Sequence, residues 1–334
     1  MEYMKLRSIG KSGLHSSCIG LGCMGMSEFY GSFDDAENLA TLERAMDLGV
    51  RMLDTADLYG NGHNEELLGR FLQQTRHRPL IASKCGIVRT DEILSDGNFR
   101  RDRNGHPDYI RASCDASLKR LNIEQIDLYY LHRVDPKIPI EDSMGALSEL
   151  KAAGKIRAIG LSEPTREELQ RAAAVVPVAA VQSEYSIWTR SIEVDVLPEI
   201  RKIGAALICY SPLGRGLLRH RGQLPVLEND DFRRTLPRFA TAHFDANGWL
   251  FDILETVATD ARMTVPQLML CWLLAQGEDI VPIPGARKMA HLEQNVAAST
   301  LRLTRQQLDH LSHAFSETAV AGQRYSEGVA IKAT

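Results

Sequence analysis

Eight short apolar runs, separated by longer stretches of helical pattern, limit what this chain can fold into. They are residues 19–22, 50–53, 80–83, 126–131, 156–161, 179–182, 206–209 and 280–282. The stretches between them carry apolar residues at three- and four-residue spacing, as in Leu39-Leu42-Ala45-Met46, Ile110-Cys114-Leu118-Leu121 and Ser143-Leu147-Leu150. Lys151-Ala152-Ala153-Gly154-Lys155 closes one such helix with the basic residues and glycine that helix C-termini favour. Strands alternating with helices require a parallel sheet, and eight such units read as a (β/α)8 barrel of the α/β class. A hairpin over residues 5–8 and 14–17 precedes it. The rival is a doubly wound sheet. It needs a G-x-G-x-x-G between a strand and a helix, whereas Gly20-Leu21-Gly22-Cys23-Met24-Gly25 leads into Glu28-Phe29-Tyr30-Gly31, which is not helical.

At 334 residues the chain suits one barrel domain, residues 1–334, with no linker composition inside it. Two segments lack a pattern, 86–107 and 212–247, the second containing Gly214, Gly216, Gly222, Pro225 and Pro237. Loops of that length in a compact domain usually serve as lids or clamps. A net charge of −4 gives no reason to expect nucleic acid or an anionic membrane as partner. No run approaches the roughly 20 apolar residues that span a bilayer. Met1-Glu2-Tyr3-Met4-Lys5 lacks a signal-peptide core, so the expected location is cytoplasmic. The six cysteines form no C-x-x-C pair, and most sit in apolar runs, which points to reduced thiols rather than zinc or disulfides.

Chemistry in barrels gathers at the carboxyl ends of the strands. There the second run delivers Asp54, the third Lys84, the fourth His132, the fifth Ser162 and Glu163, the sixth Gln182, and the seventh Tyr210 and Ser211. Singly, each has a bland reading: a turn former, a surface charge, a hydrogen-bonded core histidine. Together they surround Tyr59, five residues beyond Asp54 in a turn rich in Gly and Asn. A free phenol, with a pKa near ~10, is a weak general acid at neutral pH. An adjacent ammonium, Lys84, lowers that pKa, and Asp54 holds the ammonium in place and charged. His132 can orient or polarise a carbonyl oxygen beside the Tyr59 hydroxyl. This makes a proton donor and oxyanion stabiliser that needs a hydride source. The alternative chemistry, a metal-dependent hydrolase built on Asp54, Asp57, His63 and His132, would place Lys84 against the metal.

Leu53-Asp54-Thr55-Ala56-Asp57-Leu58-Tyr59-Gly60, Ser83-Lys84 and Leu128-Tyr129-Tyr130-Leu131-His132 resemble the Asp, Tyr, Lys and His tetrad motifs of the aldo-keto reductase superfamily. The resemblance covers nearly the whole chain. It continues through Gly22-Cys23-Met24-Gly25-Met26, Gly154-Lys155-Ile156-Arg157-Ala158-Ile159-Gly160-Leu161-Ser162, Tyr210-Ser211-Pro212-Leu213-Gly214-Arg215-Gly216 and Ile283-Pro284-Gly285-Ala286-Arg287. Arg133-Val134-Asp135-Pro136 after the histidine is closest to the bacterial, plant and fungal branch.

That resemblance implies NADP(H) bound in extended form on a barrel, a small carbonyl substrate, and a monomer or homo-oligomer as the working form. Ser162 and Gln182 would hold the nicotinamide carboxamide, and Tyr210 would stack on its ring. Gly22, Met24 and Asp54 would line the same end. Ser211, Pro212, Leu213, Gly214, Arg215 and Gly216 would follow the pyrophosphate, where Gly-rich backbone beside an arginine suits a phosphate in its own right. Gly285, Arg287, His291, Gln294 and Asn295 would surround the adenosine. His291 stands where many relatives place an arginine against the 2′-phosphate, and Gln294 where an acidic residue often meets adenine, which leaves Arg287 to favour NADPH over NADH. Glu163 replaces a common Asn. Tyr30, Phe99 and Trp188 are the aromatic candidates for substrate walls. Because some superfamily members act mainly as cofactor-bound channel subunits, a non-catalytic NADP(H)-binding regulatory subunit is the alternative function.

Overall fold

The computed structural model describes residues 4–93, 99–217, 223–228, 231–316 and 318–325; Gly222 and the first three residues lie outside these. Each of the eight apolar runs forms a strand. After the antiparallel hairpin β1 (Leu6–Ser8) and β2 (His15–Ser17) come β3 (Leu21–Gly22), β4 (Met52–Asp54) and β5 (Leu80–Cys85). A second hairpin, β6 (Ile87–Ile93) and β7 (Phe99–Arg103), precedes β8 (Ile126–Leu131), β9 (Ile156–Ser162), β10 (Ala180–Glu184), β11 (Ala206–Tyr210) and β12 (Ile280–Pro282). The sheet order β3-β4-β5-β8-β9-β10-β11-β12 follows the chain, and every adjacent pair is parallel. Gly20 N donates to Pro282 O at 2.9 Å and Gly22 N to Pro284 O at 3.3 Å, which brings β3 beside β12 and closes the ring.

Helices fill the crossovers: α1 (Asp35–Asp47), α2 (His63–Gln74), α3 (Pro107–Leu121), α4 (Ile140–Ala152), α5 (Arg166–Val175) and α6 (Val196–Ile203). Then come α7 (Thr241–Ala246), α8 (Gly248–Asp260), α9 (Val265–Leu274), α10 (Met289–Ala297) and α11 (Arg305–Ala314). Reciprocal capping boxes, Thr165 with Glu168, Thr264 with Gln267 and Thr304 with Gln307, start α5, α9 and α11. No helix among the described residues is long and apolar enough to cross a membrane.

Two main apolar cores result among the described residues. Leu42, Leu67, Ile110, Leu147, Leu169 and Leu268 join the outer strand faces to the helices. Met52, Ala82, Leu128, Tyr130, Ala158, Ile208 and Val281 fill the barrel, with Ile9 and Leu14 of the first hairpin packed into the same cluster. Tyr130 fits because Gly160 lacks a side chain; a Cβ there would lie 2.3 Å from the ring.

The boundaries depart from expectation at the strand ends. Asp54, Lys84, Ser162 and Tyr210 lie inside strands rather than after them. A polar side chain can project from the top layer while its backbone stays in the ladder, so hydropathy stops before the pairing does. Segment 86–107, which shows no pattern in sequence, contains the β6–β7 hairpin. The described parts of 212–247 include short 3₁₀ helices and α7.

Candidate active site

Tyr59 owes its position to the three residues after it. Gly60, Asn61 and Gly62 all take positive φ, 58°, 54° and 98°, a succession that Gly and Asn tolerate and most residues resist. Glu28 accepts the Gly60 N–H at 2.9 Å, and the Asn64 amide donates to Cys23 O and Ser27 Oγ at 2.9 and 2.7 Å. This loop turns the Tyr59 hydroxyl inward, over the ends of β4 and β5.

Asp54 sits beside Ala82 in the ladder, and Lys84 projects two residues further along β5. Lys84 is wholly buried and its Nζ donates to Asp54 Oδ1 at 2.5 Å, to Thr55 O at 2.6 Å and to the Tyr59 hydroxyl at 3.3 Å. Gln182 Nε2 donates to the other Asp54 oxygen at 2.7 Å. The His132 ring stands edge-on to Tyr59, with centroids 5.9 Å apart. Asp54, Lys84, Tyr59 and His132 thus meet in one cluster.

Its electrostatics follow from burial and from that one ammonium. Burial works against a charged Lys84, but Asp54 and Tyr59 outweigh it and hold its pKa above the ordinary value. Burial raises Asp54, opposed by Lys84 and Gln182. Burial also raises Tyr59, and the downward pull of Lys84 does not overcome it. The expectation that Lys84 leaves the phenol with a lowered pKa is therefore corrected: desolvation of a phenolate in this pocket is the larger effect. His132 is pushed well below its usual range by burial and then by Arg133, Lys84 and Arg101. Its imidazole is neutral at physiological pH, with Nδ1 buried and without a hydrogen-bond partner among the described residues.

A cavity of about 1640 Å³ opens from this cluster. It exceeds the ~300–1,000 Å³ typical of a single small ligand, so it has room for a dinucleotide and a carbonyl compound together. Fifteen of the residues expected to hold the cofactor line it beyond the cluster itself: Gly22, Met24, Ser162, Gln182, Tyr210, Ser211, Pro212, Leu213, Arg215, Gly216, Gly285, Arg287, His291, Gln294 and Asn295. Gly214 is not part of this lining; a Cβ there would come within 2.7 Å of the Trp188 ring. Arg287 is engaged elsewhere, its guanidinium donating to Tyr30 O at 2.7 Å and to Ser32 O. Non-glycine residues in the left-handed region gather here: Glu163 at 52°, Ser211 at 49° and Arg215 at 60°. Such strain persists where surrounding structure over-determines it, commonly at functional sites.

Of the aromatic candidates, Tyr30 and Trp188 reach the cavity. Trp188 is 2% exposed and packs mainly on Phe251 and Phe315. Phe99 lies outside the cavity lining, on the second hairpin, with the Arg89 guanidinium 3.6 Å from its ring centroid. His63 is bonded to Ser27 and Asp35 at 2.8 and 3.2 Å, so the alternative ligand set of Asp54, Asp57, His63 and His132 does not converge.

Sequence reasoning missed several participants. Arg133, named only as part of a motif, donates to Ser162 Oγ at 2.9 Å and lines the cavity next to His132. Glu184, two places past the end of the 179–182 run but inside β10, is 3% exposed and accepts from Arg215 at 3.1 Å. Arg324 and Tyr325, from the far end of the chain, also line the cavity. Arg133 follows a strand and could have been found by the same rule that found His132; the terminal pair carries no periodic signal.

The model of the aldo/keto reductase family matches residues 18–314. The chain is 42% identical over 320 residues to an aldo-keto reductase of Schizosaccharomyces pombe whose name carries NADP(+), covering 94% of this chain and 93% of that one. A probable aldo-keto reductase of Glycine max is 38% identical over 323 residues, covering 96% and 92%. Among solved structures, a glycerol dehydrogenase of Gluconobacter oxydans superposes with a TM-score of 0.84 at 30% identity, covering 95% of this chain and 97% of that one.

Proposed function

The chain belongs to the aldo/keto reductase family, and from that premise we propose that it reduces aldehydes or ketones to alcohols with NADPH. The observation that carries the reading is the buried Lys84, bonded at once to Asp54 and to the Tyr59 hydroxyl. A buried ammonium is costly unless paired, and this one is spent facing a phenol at the mouth of a cavity.

Bound NADPH supplies the hydride; the chain supplies the rest. Tyr59, its pKa raised, remains protonated throughout the physiological range and stays loaded as a donor. As negative charge develops on the carbonyl oxygen, Tyr59 transfers its proton there. Lys84 then faces a forming phenolate, so its stabilisation is greater in the transition state than in the ground state. Asp54 keeps Lys84 charged and fixed. Neutral His132 orients the carbonyl oxygen toward the hydroxyl. Ser162, Gln182 and Tyr210 would hold the nicotinamide, Ser211, Pro212, Leu213, Arg215 and Gly216 the pyrophosphate, and Gly285, Arg287, His291, Gln294 and Asn295 the adenosine. Tyr30, the edge of Trp188 and Arg133 bound the substrate space. The name of the fission-yeast relative supports NADP(H) over NAD(H). The Arg133-to-Pro136 segment supports the bacterial, plant and fungal branch, and we read the chain as one domain.

The test is oxidation of NADPH by a panel of aldehydes in the presence of a chelator, with Tyr59→Phe beside the parent. The parent consumes NADPH. The variant binds NADPH with near-normal affinity but loses most of the reduction, of the order of the 10²–10⁴-fold that a positioned acid contributes. Equal turnover by both removes Tyr59 from the acid role, and a lower Michaelis constant for NADH than for NADPH removes the cofactor preference.

A further inference from the structure

Residues 318–325 run back across the barrel mouth and are built into it. Asn247, fully buried, donates to Ala321 O at 3.0 Å and accepts the Ala321 N–H at 2.8 Å. Arg238 Nε donates to Gly322 O at 3.1 Å. Gly322 has φ 86°, and a Cβ there would lie 3.1 Å from His243 and 3.2 Å from Arg238. The chain is thus fixed immediately before Arg324 and Tyr325.

Those two residues grip groups that lie more than a hundred positions earlier. Arg324 Nη2 donates to Glu163 Oε2 and to the Tyr210 hydroxyl, both at 3.0 Å, and its Nε lies 3.4 Å from Glu184 Oε2. The Tyr325 hydroxyl accepts from Arg215 Nη2 at 2.6 Å and lies 3.3 Å from the Tyr210 hydroxyl. The same Arg215 Nη2 also donates to Glu184 Oε2 at 3.1 Å, with side-chain exposures of 9% and 3%. The buried Arg215–Glu184 bond is little weakened by solvent, and the part-buried bonds of Arg324 are partly shielded.

We propose that Arg324 and Tyr325 are positioning residues, a C-terminal clamp that fixes the Tyr210 ring and the Arg215 guanidinium and thereby slows release of the dinucleotide. This rests on the reading of the groove as the NADPH site, in which Tyr210 stacks on the nicotinamide and Arg215 lies along the pyrophosphate path. A ring and a guanidinium already ordered by the tail need not lose that freedom when the cofactor binds. None of these bonds belongs to the ladder of the barrel sheet, so they can open without opening the barrel. Cofactor exchange then has a gate made of residues 318–325.

The experiment is stopped-flow release of NADPH, followed by its fluorescence, from the parent, Arg324→Ala, Arg324→Lys and Tyr325→Phe. Loss of a charge-assisted bond predicts release roughly tenfold faster for Arg324→Ala and a few-fold faster for Tyr325→Phe. Arg324→Lys restores part of the rate. The dissociation constant for NADPH rises in step, while kcat for aldehyde reduction changes less and increases where release limits turnover. Release at the parental rate from both Arg324→Ala and Tyr325→Phe overturns the clamp. So does faster release accompanied by a lowered melting temperature of the cofactor-free protein and no rescue by lysine, since that pattern describes a loosened fold. A parent that binds no NADPH overturns the groove assignment and the clamp with it, whereas a parent that binds it, with unaltered variants, overturns the clamp alone.

Discussion

Asp57 lies three residues beyond Asp54, at the start of the loop that carries Tyr59. Its N–H is bonded to Lys84 O at 3.1 Å, yet its Oδ1 is buried with no hydrogen-bond partner among the described residues. Burial first, and then Glu65, push its pKa up to about 8, against the pull of Arg120 and Lys84. Tyr109, Cys85 and Tyr129 share this pocket, and each is itself raised by burial. The sign of the pH effect follows. Below about pH 4, the ordinary range of an aspartate, the carboxyl is protonated in both folded and unfolded chains. Between there and about pH 8 only the unfolded chain releases the proton, so stability falls across that window and levels off above it. Asp57→Asn keeps the shape and removes the titration. Its melting temperature should match the parent near pH 4 and exceed it near pH 9. A difference that is the same at both pH values would show that Asp57 ionises freely in the folded protein. In sequence, Asp57 stands beside Asp54 only in the metal-ligand alternative; what separates them is the ammonium, which bonds the Asp54 carboxylate and not that of Asp57.

At the scale of elements, α2 and α3 approach closely because Gly69 has no side chain. A Cβ at Gly69 would stand 2.3 Å from Arg120 O and 3.1 Å from the Leu121 carbonyl carbon. Alanine favours a helix over glycine by about 1 kcal/mol, but here the obstacle is backbone that cannot rotate away, and overpacking of this kind costs about 1–3 kcal/mol. Gly69→Ala should therefore be destabilising, by up to roughly 2 kcal/mol net. Urea unfolding measures it; an unchanged or higher midpoint would mean that the helices can separate without loss. The same helices were readable in the sequence because their apolar spacing reports one buried face. The strands were readable too, although Asp54 and Lys84 were placed one step outside them, since apolar runs end before pairing does. The β6–β7 hairpin was not readable. Its Arg89, Thr90, Asp91 and Glu92 leave no alternation, because most of that ribbon from residue 88 on is at least partly exposed. Phe99 looked like a pocket wall in sequence for the same reason: nothing local told that Arg89 covers its ring.

For the whole molecule, ring closure decides how the parts respond to a ligand. The first and last strands, β3 and β12, are neighbours held by backbone bonds from Gly20 and Gly22 to Pro282 and Pro284. The residues lining the cavity come from both ends of the chain and from the middle, from Gly22 through Gln182 to Asn295 and Tyr325. No portion of the barrel retains the groove once another portion has opened, so a ligand in the groove must stabilise the ring as one unit. Stabilisation by mass action amounts to about 2.7 kcal/mol at a hundred times the dissociation constant. Scanning calorimetry should accordingly give one transition without cofactor, and one transition displaced upward by several degrees in saturating NADPH. Two resolved transitions, with only one of them displaced, would show that the chain divides into separately unfolding parts and that the groove belongs to one of them. The clamp adds a finer expectation: in Arg324→Ala the displacement shrinks in proportion to the weakened binding, while the cofactor-free transition stays where it was. The two curves together separate what the tail contributes to the bound state from what it contributes to the fold.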